Sequence, residues 1–241
     1  MNILLTGASR GVGLVICKTL LEQGHAVYAV SRTHSDEIAA LQKQYPEKLF
    51  FKSADLGDPA AAKAAIFAED FVSNKIALDA FVNNAAQAYD DIVTNLNLEP
   101  LRAMYEVNVF APMLLTKYAI RNMLLHGKSG GIVHISSISA HTGYKGLAMY
   151  ASSKGAIEAF SKNTAREWGG RGVRSNVVVP GFMETAMSAT LSQEQKDRIY
   201  KRTSLKKATD ISSVAETVAF LVSDRAASIT GQAIHVDNGT I

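Results

Sequence analysis

A tyrosine and a lysine four positions apart are the residues of this chain best suited to moving a proton. Tyr150 and Lys154 would lie one turn apart on the same face of a helix. A phenol ordinarily titrates near pH ~10 and is a poor acid or base at neutral pH. A neighbouring ammonium favours the phenolate, so we expect Lys154 to lower the pKa of Tyr150 and make it a usable acid or base. Surface pairs at this spacing are common, so the rest of the chain must decide between the two interpretations.

A glycine-rich turn near the start of the chain is typical of dinucleotide binding. The apolar run 2–6 predicts a strand, and residues 6–13 read Thr-Gly-Ala-Ser-Arg-Gly-Val-Gly before a helical pattern that continues to about Gln23. Glycines let the backbone turn tightly and approach a phosphate, and the helix N-terminus favours negative charge. The strand before the turn and the helix after it are the context that the motif requires. A glycine-rich turn without a ligand is the structural alternative.

The residues after the second predicted strand indicate the form of the cofactor. This strand covers Ala26 to Val30 and is followed by Ser31 and Arg32 rather than by the acidic residue that often binds the ribose of NAD. An arginine can bind a 2′-phosphate, and Arg10 in the glycine turn could reach the same group. We therefore predict NADP(H) rather than NAD(H), with solvated loop cations as the alternative.

The order of the predicted elements determines the fold class. About seven strands alternate with about six helices, which predicts a Rossmann-type α/β fold, doubly wound, with a mostly parallel seven-stranded sheet and helices on both faces. We find no linker and no internal repeat, so residues 1–241 are predicted to form a single domain. The segment from Phe182 to Lys206 predicts either a mobile flap or a packed helical excursion. The loop 140–146 carries His141 and Tyr144, which we interpret as plain loop residues.

Polar residues follow several of the strands, at the edge where open α/β sheets bind ligands. Asn83 and Asn84 follow the fourth strand, and Ser137 follows the fifth. Asn108 lies inside a long predicted helix from Glu99 to His126, which we expect to kink because Pro112 removes the hydrogen bond to the Asn108 carbonyl. Serines and asparagines at such places often have only a structural role.

Asp55 follows the third strand. It could cap the next helix or lie beside an adenine ring, and capping is favoured.

Composition excludes several classes of function. Of 241 residues, 47% are hydrophobic and 20% charged, which suits a globular protein with a sizeable core. A net charge of +3 without a basic run gives no case for nucleic acid, and no apolar run reaches the ~18 residues of a membrane span. With no signal peptide before the first strand, we expect a cytoplasmic protein. The lone cysteine, Cys17, excludes an internal disulfide and is predicted to be a buried filler; no metal site is predicted.

Jointly, these motifs identify the chain as similar to the short-chain dehydrogenase/reductase family. The resemblance spans nearly the whole chain and is carried by the glycine turn at 6–13, Asn83-Asn84-Ala85, Asn108, Ser137, Tyr150-x-x-x-Lys154, Pro180-Gly181 and the closing segment 230–239. Ser137 precedes Tyr150 by thirteen positions, the usual interval in the family. The chain departs from the family pattern at Ala86 and Asn238, where glycine is usual.

The resemblance implies the role of each catalytic residue. Tyr150 would be the general acid in reduction and the general base in oxidation. Lys154 would lower its pKa and hold the nicotinamide ribose. Ser137 would polarise the substrate carbonyl, and Asn108 would hold a water that links Lys154 to solvent. The implied cofactor contacts are Gly7, Ser9, Arg10, Gly11, Val12, Gly13, Arg32, Asp55, Leu56, Asn83, Ala85, Tyr150, Lys154, Pro180, Gly181, Met183 and Thr185.

Within the family, the chain most resembles 3-oxoacyl-(acyl-carrier-protein) reductases. Such enzymes dock an acidic carrier through basic residues beside the site entrance, and Lys128 and Arg171 match those positions. Two alternatives remain open: an NADP-dependent enzyme for a free small carbonyl or alcohol, and a non-catalytic nucleotide-binding scaffold. The resemblance also implies a homotetramer formed through the long helix around Asn108 and the Tyr150 helix.

Overall fold

The computed structural model describes residues 1–184 and 192–240, which build a central sheet covered by helices on both faces. The strands are β1 (Asn2–Thr6), β2 (Ala26–Ser31), β3 (Leu49–Ser53), β4 (Ala80–Asn83), β5 (Gly130–Ile135), β6 (Val173–Pro180) and β7 (Ala233–Val236). The helices are α1 (Gly11–Glu22), α2 (Asp36–Gln44), α3 (Pro59–Ile66), α4 (Leu98–Tyr105), α5 (Ala111–Leu125), α6 (Ala148–Trp168), α7 (Gln193–Arg202) and α8 (Ile211–Val222).

The strand order defines where a ligand can bind. The seven strands lie in the order β3-β2-β1-β4-β5-β6-β7, and each of the pairings between them is parallel. This confirms the predicted Rossmann-type doubly wound fold. The strand order reverses between β1 and β4, which opens a crevice at their carboxyl ends. The glycine turn and Asn83-Asn84 follow these two strands and therefore meet at that crevice.

Both faces of the sheet are buried, because the central strands are apolar on both sides. Leu5 and Val82 pack against one layer of helices, and Leu4 and Phe81 pack against the other. The first layer includes α1, α2 and α8, and the second includes α3 and α5. Cys17 lies fully buried in the first layer, where burial raises the pKa of its thiol to about 12, so it is the small core residue that its position predicts.

The long predicted helix is broken where Pro112 requires a break. α4 ends at Tyr105, a π-helical turn spans Glu106–Phe110, and α5 begins at Ala111. Proline has no N–H to donate to the Asn108 carbonyl, so a regular α-helix cannot continue through this point. The α-helical pattern is thus interrupted where Pro112 predicts it, and Asn108 is buried within this turn.

The stretch from Phe182 to Lys206 contains a helix within its described part. α7 begins at a capping box, in which the Ser192 hydroxyl accepts from the Gln195 backbone N–H and the Gln195 side chain accepts from the Ser192 N–H. The helical alternative therefore holds for 193–202, and residues 185–191 lie outside the described part. No helix of the described residues is long and apolar enough to cross a membrane.

Candidate active site

The four side chains predicted to be catalytic gather at the carboxyl end of β5. Ser137 follows that strand, Tyr150 and Lys154 lie one turn apart on α6, and Asn108 comes from the π-helical turn. The Lys154 ammonium lies 5.6 Å from the centre of the Tyr150 ring and donates to the Ile135 carbonyl at 2.8 Å. Since Ile135 is two residues before Ser137, this bond fixes the lysine beside the serine.

Lys154 is held as a buried cation. Its side chain is 3% exposed, and burial lowers its pKa to about 8. The negative charge of Glu158, one turn further along α6, acts in the opposite direction and raises it. The ammonium form therefore still predominates at neutral pH.

The prediction that the pKa of Tyr150 is lowered is wrong in this structure. Burial raises the pKa of Tyr150 to about 12, and the charge of Asp90 adds to the rise. Burial is the larger cause, because the negatively charged phenolate is disfavoured when it is removed from water. Tyr150 is thus a protonated phenol at neutral pH.

Asn108 ties a loop of the site to the catalytic helix. Its side chain accepts from the Gln87 backbone N–H at 2.8 Å, and donates to the Gln87 carbonyl at 2.8 Å and to the Ser153 hydroxyl at 3.0 Å. Asn108 is 2% exposed. The amide therefore anchors the segment that follows β4, including Asp90, against α6. Its predicted link to a water stays a prediction.

Ser137 lies at the start of a short 3₁₀ turn, Ile138–Ala140, where its hydroxyl accepts from the Ser139 N–H at 3.2 Å. The neighbouring Ser136 hydroxyl donates to Glu158, whose carboxylate also pairs with the ring of His141 at 2.9 Å. Sequence reasoning missed Glu158 and assigned His141 to a plain loop. The signal for Glu158 was present, because it follows Tyr150 and Lys154 at helical spacing on α6.

The glycine turn has the shape of a phosphate cradle. Gly7 and Gly11 have positive φ values of 71° and 54°, which favour glycine. A Cβ on Gly13 would overlap the Gly7 carbonyl oxygen, whereas a Cβ on Gly11 would meet nothing within 4 Å. The turn is therefore closed on its inner side and open at the start of α1, where a phosphate would meet the helix N-terminus.

Asn84 braces this turn, which is the structural role that asparagines after a strand often have. Its amide donates to the carbonyl oxygens of Thr6 at 3.2 Å and Gly7 at 3.0 Å. The Thr6 hydroxyl in turn accepts from the N–H groups of Asn84 and Ala85, both at 3.2 Å. Asn83 is buried and its side chain contacts the Thr6 hydroxyl at 3.4 Å, so its side chain faces the fold.

The arginines proposed for the 2′-phosphate lie exposed on the same side of the crevice. Arg10 precedes α1 and Arg32 follows β2, and a serine bridge joins the two loops. Ser9 N–H donates to the Ser31 hydroxyl at 3.1 Å, and the Ser35 hydroxyl donates to the Ser9 carbonyl at 2.9 Å. Together with the open turn at Gly11, these residues fit a phosphorylated dinucleotide.

Two of the predicted cofactor residues pack their side chains in or against the core. Leu56 is buried in the core, and Val12 packs against the core from α1. The prediction that Asp55 caps α3 is wrong, because the Asp55 carboxylate accepts from the Gly57 N–H at 2.9 Å. Asp58 caps α3 instead: it lies immediately before the helix and accepts from the Ala61 N–H at 2.9 Å.

The predicted residues at the end of β6 lie close to the end of β7. Gly181 N–H donates to the Val236 carbonyl at 2.9 Å, and a Cβ on Gly181 would meet Asp237 and Thr209. Pro180 is buried and Met183 packs against the core. Thr185 lies outside the described residues.

Lys128 and Arg171 do not lie beside the catalytic cluster of their own chain, which corrects the sequence-based expectation. They precede β5 and β6, so they lie at the amino edge of a parallel sheet whose carboxyl edge holds Tyr150. β5 is six residues long, which separates the edges by about 20 Å. Lys128 pairs there with Asp79 at 2.9 Å.

Comparison with known proteins agrees with this geometry. A family model described as enoyl-(acyl carrier protein) reductase matches residues 7–240. The 3-oxoacyl-(acyl-carrier-protein) reductase FabG of Staphylococcus aureus strain Mu50 is 34% identical, with 99% of this chain and 97% of the relative covered. The enzyme of the same name from Escherichia coli K12 is 33% identical, with 98% and 95% covered.

Solved structures extend the comparison to bound cofactor. One solved structure is described as an NAD(P)-dependent gluconate 5-dehydrogenase from Beutenbergia cavernae with bound NADP. It is 30% identical to this chain, with a TM-score of 0.92, and the match covers 99% of this chain and 96% of that one. A gluconate 5-dehydrogenase from Burkholderia cenocepacia, in complex with NADP and tartrate, is 26% identical with a TM-score of 0.91, covering 99% and 94%. The fold and the site define a nucleotide-dependent oxidoreductase that interconverts an alcohol and a carbonyl. The chain belongs to the short-chain dehydrogenase/reductase family.

Proposed function

We propose that this protein is an NADPH-dependent reductase of a ketone carbonyl, with a 3-oxoacyl thioester as the favoured substrate and Tyr150 as the general acid. The observation that supports this most directly is the pairing of Tyr150 with the buried ammonium of Lys154, beside Ser137. NADP(H) is the cofactor, and when bound it supplies the hydride. The cradle at Gly7, Gly11 and Gly13 and the exposed Arg10 and Arg32 would hold it. Solved relatives with NADP support this choice.

The protonated Tyr150 phenol can supply the proton that reduction of a carbonyl needs. With its pKa raised to about 12, the Tyr150 phenol holds its proton at neutral pH. A developing alkoxide is more basic than a phenolate, so proton transfer from the phenol to it is downhill. The Ser137 hydroxyl would donate to the carbonyl oxygen, and the Lys154 ammonium would stabilise the phenolate that remains.

Two substrate classes are supported by different comparisons. The curated relatives named for 3-oxoacyl thioesters match along the whole chain, and they favour that class. The gluconate 5-dehydrogenase structures favour the second candidate, a free hydroxy or keto compound such as a sugar acid. Comparing NADPH consumption with 3-oxoacyl thioesters and with free keto acids decides between them. Higher efficiency with the free compounds would refute the thioester assignment.

The catalytic assignment is tested by Tyr150→Phe. We expect kcat to fall at least ~1,000-fold, in line with the loss of a general acid, while NADPH affinity, measured by fluorescence titration, stays within a few-fold. Unchanged turnover would refute the role of Tyr150. A non-catalytic scaffold would show no turnover in the wild-type chain with either substrate class.

We further propose that the chain functions as one domain and assembles as a homotetramer through α5 and α6. Phe110 is 51% exposed beside this surface, and the small residues Ala151, Gly155 and Ala159 on α6 suit close helix packing. Sedimentation showing a monomer would contradict the assembly.

Carrier docking at Lys128 and Arg171 then requires a second copy to bring these residues near a site, since in one chain they lie at the opposite edge. Arg171→Glu should weaken activity on a carrier-bound substrate but not on the same acyl group attached to a short thiol. The cytoplasmic location stays a prediction.

A further inference from the structure

Three polar side chains meet on the side of Lys154 away from Tyr150. The Glu158 carboxylate receives a hydrogen bond from the Ser136 hydroxyl and pairs with the Nε2 atom of His141 at 2.9 Å. Glu158 is largely buried, with its side chain 17% exposed, while that of His141 is 29% exposed. The ring of His141 also meets the ring of His235 on β7, with centroids 4.7 Å apart. A carboxylate so enclosed by hydrogen-bonding partners has a fixed position.

We propose that Glu158, held between Ser136 and His141 one turn beyond Lys154, is a positioning residue that keeps the Lys154 ammonium charged and in place. The inference deepens the proposed function, because it concerns the same reaction and the same lysine. Glu158 acts through Lys154 and the end of β5, where it bonds Ser136.

The order of residues at the end of β5 explains how the Glu158 carboxylate can act on both the charge and the position of Lys154. Ile135, Ser136 and Ser137 are consecutive at the end of β5. Lys154 binds the Ile135 carbonyl, and Glu158 binds the Ser136 hydroxyl. Ser137 carries the hydroxyl that is proposed to contact the substrate. Two residues one turn apart on α6 therefore fix the strand end from which Ser137 projects.

The charge of Glu158 is needed because the lysine is buried. An ammonium removed from water is costly unless a negative charge lies near it. Burial lowers the pKa of Lys154 to about 8, and Glu158 limits that fall. The other titratable groups around the pair are Tyr150 on the same helix, Asp90 after β4, His134 on β5, His141 just after the 3₁₀ turn and His235 on β7. His134 is fully buried and neutral, since burial lowers its pKa to about 3.

The test compares Glu158→Gln with a matched change on the same helix. Gln is isosteric and can still bond Ser136, so the variant removes the charge while keeping the shape. Glu167→Gln is the control, because Glu167 is an exposed residue of α6 more than three turns from Lys154. The full chain labelled with ¹³Cε,¹⁵Nζ-lysine is titrated by NMR, and the Lys154 signal is assigned from its loss in Lys154→Met.

The expected result is a shift of the Lys154 titration to lower pH by about one unit in Glu158→Gln and no shift in Glu167→Gln. The descending limb of the pH profile of kcat/KM for reduction should move with it. A Lys154 titration in Glu158→Gln that coincides with that of the control overturns the proposal. A purely structural role would lower the melting temperature without moving the titration.

The outcome is separable from the proposed function, because the NMR titration needs no substrate and no turnover. If Tyr150→Phe retains activity while Glu158→Gln shifts Lys154, the assignment of the acid fails and the inference about Glu158 stands. If Tyr150→Phe is inactive while Lys154 titrates unchanged in Glu158→Gln, only the inference about Glu158 fails.

Discussion

Asn108 and Asn122 provide a matched test of whether a buried asparagine serves the site or only the fold. Asn108 bonds the backbone N–H and carbonyl of Gln87, and it also bonds Ser153. Asn122, on α5, accepts from the Leu78 N–H at 2.9 Å and donates to the Ile76 carbonyl at 2.9 Å. Both are buried and both replace a missing backbone partner in a loop. They differ in position, since Asn108 lies at the catalytic helix and Asn122 anchors the segment before β4.

The cost to stability should be similar for Asn108→Ala and Asn122→Ala. Each change removes at least two hydrogen bonds and leaves backbone groups short of a partner, at ~1–3 kcal/mol per buried group. Water can bond the backbone groups of the partly exposed Gln87 and so offsets part of this cost. We therefore expect a loss of about 2–3 kcal/mol in the free energy of unfolding. For a domain of this size, that corresponds to a fall in melting temperature of about 4–12 °C.

The cost to activity should differ. Asn108→Ala frees the segment at 87–90 from α6 and leaves the Ser153 hydroxyl, close to Lys154, without its donor. Small displacements of a site of this kind cost ~100-fold in rate, so kcat/KM should fall by about that factor, whereas Asn122→Ala should stay within ~3-fold. Steady-state kinetics well below both melting temperatures measure the difference. Equal activity in the two variants would show that Asn108 has only a structural role and would refute the reasoning.

Three further predictions follow from single contacts. Gly13→Ala places a Cβ on the Gly7 carbonyl oxygen and should lower the melting temperature by ~5 °C or more and weaken NADPH binding; Gly169→Ala, at an open position with right-handed helical backbone angles, is its control, and equal effects would contradict the cradle. Arg32→Asp should lower the preference for NADPH over NADH at least ~10-fold in kcat/KM, and an equal fall with both cofactors would count against a 2′-phosphate contact. Burial, with a smaller contribution from Lys154, lowers the pKa of His134 from 6.5 to about 3. Between these two pH values, His134 is protonated in the unfolded chain but neutral in the folded chain. The free energy of unfolding should therefore fall as the pH drops below 6.5, by up to ~1.4 kcal/mol per pH unit. In His134→Leu this slope should be reduced in denaturant titrations from pH 6.5 to 4, and an unchanged slope would exclude His134 as its source.

The sequence alone determined the features that depend on local spacing. Alternating apolar runs and helical patterns specify the doubly wound sheet, because the connections and the burial of parallel strands leave few other arrangements. The glycine turn is readable because strand, turn and helix are contiguous, and Tyr150 and Lys154 are readable because four residues make about one helical turn. Pro112 marked the break near Asn108 for the same local reason.

Tertiary structure decided what depends on segments far apart in the chain. Asn84 braces a turn 77 positions earlier, and Glu158 meets Ser136 and His141 only because α6 packs against β5. The pKa of Tyr150 depends on how much water the folded chain excludes and on the distance to Asp90, so the lowering suggested by helical spacing becomes a rise to about 12. Local periodicity carries the first kind of information because it is a property of consecutive residues. Burial and charge at a site arise only when distant segments come together, and these are the quantities that set the chemistry of Tyr150 and Lys154.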